Sequence, residues 1–115
     1  MTIHLQKLGH KRIAFIKGRA EHSSSAQRFE GFQKAMRKAA IKIHPQWVKP
    51  GAYTVDSGIA AAEQLLRGRD RPTAIFASND DMAFGVMAVA QRMQIKVPDQ
   101  LSVVGFDDAP IAQVM

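Results

Sequence analysis

The sequence predicts an α/β fold, a doubly wound parallel sheet flanked by helices. Two patterns carry that prediction. Short apolar runs alternate along the chain with longer stretches whose apolar residues recur at helical spacing. Each short run is apolar on both faces, as a strand covered by helices must be. Crossovers between parallel strands are right-handed, so successive helices wind onto both sides of such a sheet.

The elements follow in order. Ile3 to Leu8 reads as the end of a helix. Arg12-Ile13-Ala14-Phe15-Ile16 reads as the first strand, stopped by Gly18. Ser23-Ser24-Ser25 can cap the next helix, because serine oxygens accept its unpaired N–H groups. Phe29, Phe32, Met36 and Ala39 give that helix its apolar stripe, with Gln27, Glu30, Lys34, Arg37 and Lys38 opposite. Gln46-Trp47-Val48 reads as a short second strand, ended by Pro50-Gly51. Thr54 and Asp56 are cap candidates for a helix with the stripe Ile59, Ala62, Leu65 and Leu66, stopped by Gly68. Thr73 to Ala77 is the third strand. Ser78 and Asp81 resemble a capping box, with Asp in place of Glu. Met82, Val86, Val89, Ala90 and Met93 form the next stripe, and Leu101 to Phe106 the fourth strand.

Composition excludes several classes. A chain of 115 residues fits one domain. Its 46% hydrophobic content is too high for a disordered chain. No apolar stretch nears the roughly 18 residues a membrane helix needs, and the N-terminus lacks a signal peptide's apolar core. Without cysteine there is no disulfide, thiolate ligand or thiol nucleophile. The net charge of +6 invites nucleic acid. Yet the basic residues are dispersed, mostly at helix C-termini and in turns, where cations complement the helix dipole. A solvated surface is the better reading than a phosphate-tracking one.

In a doubly wound sheet, ligands bind outside the carboxyl ends of the strands. That rule selects the loops 17–25, 50–54, 78–81 and 107–110. Arg28, Tyr53, Asn79 and Asp107 lie in or beside them. A guanidinium, a ring, an amide and a carboxylate on one rim suit a polar ligand, although each also serves as a cap or turn residue. Other chemistry finds less support. There is no G-x-G-x-x-G after a strand and no P-loop. His4, His10, His22 and His44 lack metal-ligand spacing. Ser23 to Ser25 has no glycine elbow. Asp80 and Asp81 fall in a helix's first turn, where carboxylates suit the dipole. No catalytic group, metal or cofactor is expected.

Four motifs carry a family resemblance. Leu8-Gly9-His10-Lys11-Arg12-Ile13-Ala14-Phe15-Ile16 resembles the opening of the C-terminal subdomain of LacI/GalR-family transcriptional regulators. Arg28-Phe29-Glu30-Gly31-Phe32, the run from Arg71 to Gly85 and the run from Val97 to Pro110 are similar to later parts of it. The resemblance implies one subdomain of a periplasmic-binding-protein-like fold, in which two subdomains enclose a small effector, a sugar or nucleobase. It implies that Arg28 grips ligand hydroxyls or carbonyls through its fork of donors. Asp107 would accept two bonds from neighbouring ligand groups. Asn79 would donate and accept. Tyr53 would cover an apolar ring face, and Ser24, one helical turn before Arg28, would add a hydroxyl.

The same resemblance sets further expectations. Residues 1–115 form a single partial domain without the helix-turn-helix, hinge helix or N-terminal subdomain of such regulators. DNA would be reached only through those parts. The protein would be a cytoplasmic homodimer and not an enzyme. Ala39-Ala40-Ile41 stands where the family commonly has a glycine before the isoleucine, so an altered turn is expected there. Two alternatives stand beside this reading. A periplasmic sugar-binding protein of a transporter shares the fold. A phosphotransfer enzyme would use Asp80, Asp81, Asp107 or Asp108, but its acids are missing from the first loop, which reads Lys17-Gly18-Arg19.

Overall fold

The apolar run at Ile13–Ile16 forms strand β1 at the heart of the sheet, in a computed structural model that describes residues 9–19, 23–97 and 100–105. Helix α1 (Ser23–Lys38) follows. A 3₁₀ turn (Pro45–Trp47) leads into β2 (Val48–Lys49). Helix α2 (Val55–Leu66), β3 (Ala74–Ala77), α3 (Asp80–Arg92) and β4 (Ser102–Val104) complete the order. All three strand pairings are parallel, in the spatial order β2-β1-β3-β4. The expected α/β sheet, wound on both faces, is therefore present.

Alternation along the strands divides the core into two layers, because successive side chains point to opposite faces. Ile13, Phe15, Ala74, Phe76 and Val104 face α1, where Phe32 and Met36 are buried against them. Phe15 anchors this layer, with ring centroids 4.8 Å from Phe32 and 5.0 Å from Phe76. Ala14, Ile16, Ile75, Ala77 and Val103 face α2 and α3, which bury Ala62, Leu65, Leu66, Met82, Val86 and Val89. Helices α2 and α3 touch backbone to backbone. A Cβ on Gly58 would overlap the Met82 carbonyl, and one on Gly85 would overlap the Val55 carbonyl.

Several boundaries differ from expectation. Gln46 and Trp47 belong to the 3₁₀ turn and not to the second strand, which is only Val48–Lys49. Pro45 presets a helical φ at the first position of that turn. Trp47 is buried there, with His44 at 4.4 Å and the Arg12 guanidinium at 4.8 Å from its ring. The three serines at 23–25 lie inside the first turn of α1 and not ahead of it. Ala39 is exposed beyond the helix end.

Helix α3 is capped by Asn79 and not by Ser78. The Asn79 Oδ1 accepts the Met82 N–H at 3.0 Å, while the fully buried Ser78 turns its hydroxyl inward to the Ile16 carbonyl at 2.6 Å. Thr54 caps α2 as expected, in a reciprocal box with Ser57. The turn at Ala40 is not altered: Ala40 takes φ 58° and closes α1 in the left-handed form, with Ile41 N–H donating to the Met36 carbonyl at 2.9 Å. The helix end expected at Ile3 to Leu8 lies outside the described residues.

Candidate functional site

The parallel register brings three loops out side by side. Ile16 pairs with both Lys49 and Ala77, so the residues after β1, β2 and β3 leave the sheet at one level. The ladder continues a step further, with Lys17 N–H donating to the Lys49 carbonyl at 2.8 Å and Ser78 N–H to the Ile16 carbonyl at 3.2 Å.

Tyr53 is the centre of this edge. It stands between β2 and the cap of α2 with φ 64°, a left-handed conformation that costs a non-glycine residue on the order of 1–2 kcal/mol. Hydrogen bonds surround it. The Ser57 hydroxyl accepts the Ala52 N–H at 3.0 Å and the Thr54 N–H at 3.2 Å, on either side of Tyr53. Asn79 Nδ2 donates to the Tyr53 carbonyl at 2.9 Å. The ring lies against Gly18, where a Cβ would overlap it. Glycine there leaves the ring its place over the end of β1.

Arg28 closes on the same ring from α1. Its guanidinium carbon is 5.8 Å from the Tyr53 centroid, and Nη1 donates to the Ser78 carbonyl at 2.6 Å. Arg28, Tyr53 and Asn79 are thus brought together from three elements. Beside them a groove of about 490 Å³ is lined by Lys17, Gly18, Phe29, Glu30 and Gly51, with Lys17 Nζ held 4.2 Å above the Phe29 ring. On the far side, a Cβ on Gly105 at the end of β4 would overlap the Asp80 carboxylate.

Two predicted site residues are not seen in full. Helix α1 carries Ser24 one turn ahead of Arg28, but its side chain lies outside the described residues. Asp107 lies outside them too, two positions beyond Gly105. Sequence reasoning missed the roles of Gly18 and Ser78. It read the first as a strand stop and the second as a cap. Their signals were a glycine and a small hydroxyl at strand ends, which many turns share. No group of three His, Asp or Glu among the described residues is placed to hold a metal ion.

The comparisons with known proteins agree with this architecture. The model of the periplasmic binding protein-like domain family matches residues 2–115. The chain is 35% identical over 112 residues to the HTH-type transcriptional repressor PurR of Vibrio vulnificus, covering 97% of this chain and 34% of that protein. A sugar-binding transcriptional regulator of the LacI family from Escherichia coli, solved in complex with phosphate, superposes with a TM-score of 0.88 at 36% identity, over 97% of this chain and 40% of that one. The transcriptional regulator CelR in its cellobiose complex superposes with a TM-score of 0.88 at 33% identity, over 94% of this chain and 33% of that one. The chain spans about a third of the length of the curated relatives it matches. A parallel sheet with a core layer on each face, a polar cluster at its carboxyl edge and these likenesses together identify the chain as a member of the periplasmic binding protein-like domain family, of the LacI/GalR type.

Proposed function

We propose that this chain is the C-terminal subdomain of the effector-binding domain of a LacI-type transcriptional regulator. In this reading residues 1–115 are one jaw of a cleft, and a second subdomain supplies the other. The effector is a sugar or a nucleobase. Arg28, Tyr53 and Asn79 contact it, joined by Ser24 from α1 and Asp107 after β4. The observation that carries the reading is the Arg28 guanidinium, seated between the Ser78 carbonyl and the Tyr53 ring at the carboxyl edge of the sheet. Such a fork presents donors to hydroxyls or carbonyls beside a ring face that suits the apolar side of a sugar or base. The relatives solved with phosphate and with cellobiose are regulators, which favours this reading over a transporter's binding protein.

The mechanism is a population shift. Effector closes the two jaws and biases a cytoplasmic homodimer between states that differ in operator affinity. DNA is contacted by a helix-turn-helix outside this chain, and the chain itself catalyses nothing. Among the described residues no helix is long and apolar enough to cross a membrane. A thermal-shift screen of sugars and nucleobases on the regulator tests the site. One compound raises the melting temperature, because a ligand that binds only the folded state stabilises it. Arg28→Ala abolishes that rise. An equal rise in the variant would remove Arg28 from the site.

A further inference from the structure

We infer that Asn79, besides meeting the ligand, is the positioning residue that fixes the Tyr53 ring. Its side chain does two things at once. Oδ1 caps α3 through the Met82 N–H at 3.0 Å, and Nδ2 donates to the Tyr53 carbonyl at 2.9 Å. The first bond ties Asn79 to a helix whose first turn is built into the core by Met82. The second carries that rigidity 26 residues back in sequence, onto a tyrosine held at φ 64°.

A residue in that conformation persists only where its surroundings over-determine it. Three contacts do so here. Ser57 holds the amides on both sides of Tyr53, Gly18 leaves room for the ring, and Asn79 holds the carbonyl. Of the three, the Asn79 bond ties the Tyr53 main chain directly to the junction of β3 and α3. It therefore sets the distance between the Tyr53 wall and Arg28, whose own anchor is the carbonyl of the adjacent Ser78. Residues 78 and 79 together seat both the guanidinium and the ring. An amide suits this pair of tasks, since its oxygen accepts while a separate nitrogen donates; a carboxylate only accepts, and the single oxygen of serine is too short to reach both partners. The significance of the arrangement rests on the effector-site reading, but its geometry does not.

The test uses Tyr53 as its own reporter, because it is the single tyrosine of the chain. The protein is made with 3-fluorotyrosine and followed by ¹⁹F NMR without any effector, alongside thermal melting. Asn79→Asp keeps the acceptor for Met82 and loses the donor to Tyr53. The expected result is a displaced ¹⁹F resonance with a melting temperature close to that of the parent. Asn79→Ser, which keeps a cap oxygen, displaces the resonance in the same direction. A parent-like resonance in both variants would overturn the inference. So would unfolding of both, since Asn79 would then hold the fold and not the ring. Because no effector enters the measurement, its failure is separate from failure of the effector site, which the Arg28→Ala screen reads.

Discussion

Three non-glycine residues among those described have positive φ, and they do different work. Ala40 and Gln94 close α1 and α3 in the same way. Ile41 N–H donates to the Met36 carbonyl, and Ile95 N–H to the Ala90 carbonyl, so each left-handed residue turns the chain back on its helix. Neither side chain is needed for that turn. Ala40→Gly is expected to stabilise the protein by about 1 kcal/mol, read by urea denaturation, because glycine removes the cost of the left-handed conformation. An unchanged or lower stability would contradict the turn described. The sequence marked this position only through its departure from the family's glycine. A backbone demand outlasts the loss of the residue that signals it. Tyr53 carries the same conformation in the candidate site, where nothing in its neighbours' identities announces it.

His10 lies at the opposite, amino end of the strands. Its ring bridges two hydroxyls, Nδ1 to Thr73 Oγ1 at 2.9 Å and Nε2 to Ser102 Oγ at 3.0 Å. The Thr73 hydroxyl donates to the Arg12 carbonyl at 3.3 Å, so the network assigns the ring proton to Nδ1 and leaves Nε2 to accept from Ser102. Desolvation by burial lowers the His10 pKa below 6.5. The unfolded chain then takes up the proton first as pH falls. Stability contributed by neutral His10 is present above about pH 6.5 and is lost as pH drops through the interval down to the depressed folded value. Urea midpoints measured across that interval should fall for the parent and fall less for His10→Gln. Parallel curves would show that His10 is not held neutral.

At the scale of elements, the two core layers were legible because their residues announce themselves by spacing. Ala62, Leu65 and Leu66, or Met82, Val86 and Val89, cannot all be buried unless their segments are helical. The second strand was less legible. Gln46-Trp47-Val48 has strand-like composition, but Pro45 commits the segment to a 3₁₀ turn before two residues reach the sheet edge. Which helix touches which was not legible at all. Gly58 and Gly85 carry no periodic signal of their own, yet they let α2 and α3 approach at backbone distance. Gly85→Ala would place a methyl group in the Val55 carbonyl and is expected to cost about 1–3 kcal/mol by overpacking. Equal stability in the variant would mean that the helices separate without penalty, which the packing described here excludes.

At the scale of the molecule, the site was legible to the extent that topology dictates it. A parallel sheet in the order β2-β1-β3-β4 delivers its carboxyl-end loops to one edge, so residues distant in sequence meet there. Arg28, Tyr53 and Asn79 do meet. What the rule does not reach is how they are held: the Ser78 carbonyl under Arg28, the Gly18 platform and the Asn79 bond to Tyr53 are consequences of backbone geometry. The amino end holds the His10 bridge and the opposite edge holds the candidate site, so the two lie at separate ends of the same strands. Substitutions at the carboxyl edge should therefore alter effector response with little effect on the amino-end bridge.

The most direct measurement is operator binding by the regulator that carries this domain, with and without its effector, for the parent, Arg28→Ala and Asp107→Ala. Both variants are expected to bind operator as the parent does and no longer to change affinity when effector is added. A full effector response in both would remove Arg28 and Asp107 from the effector site.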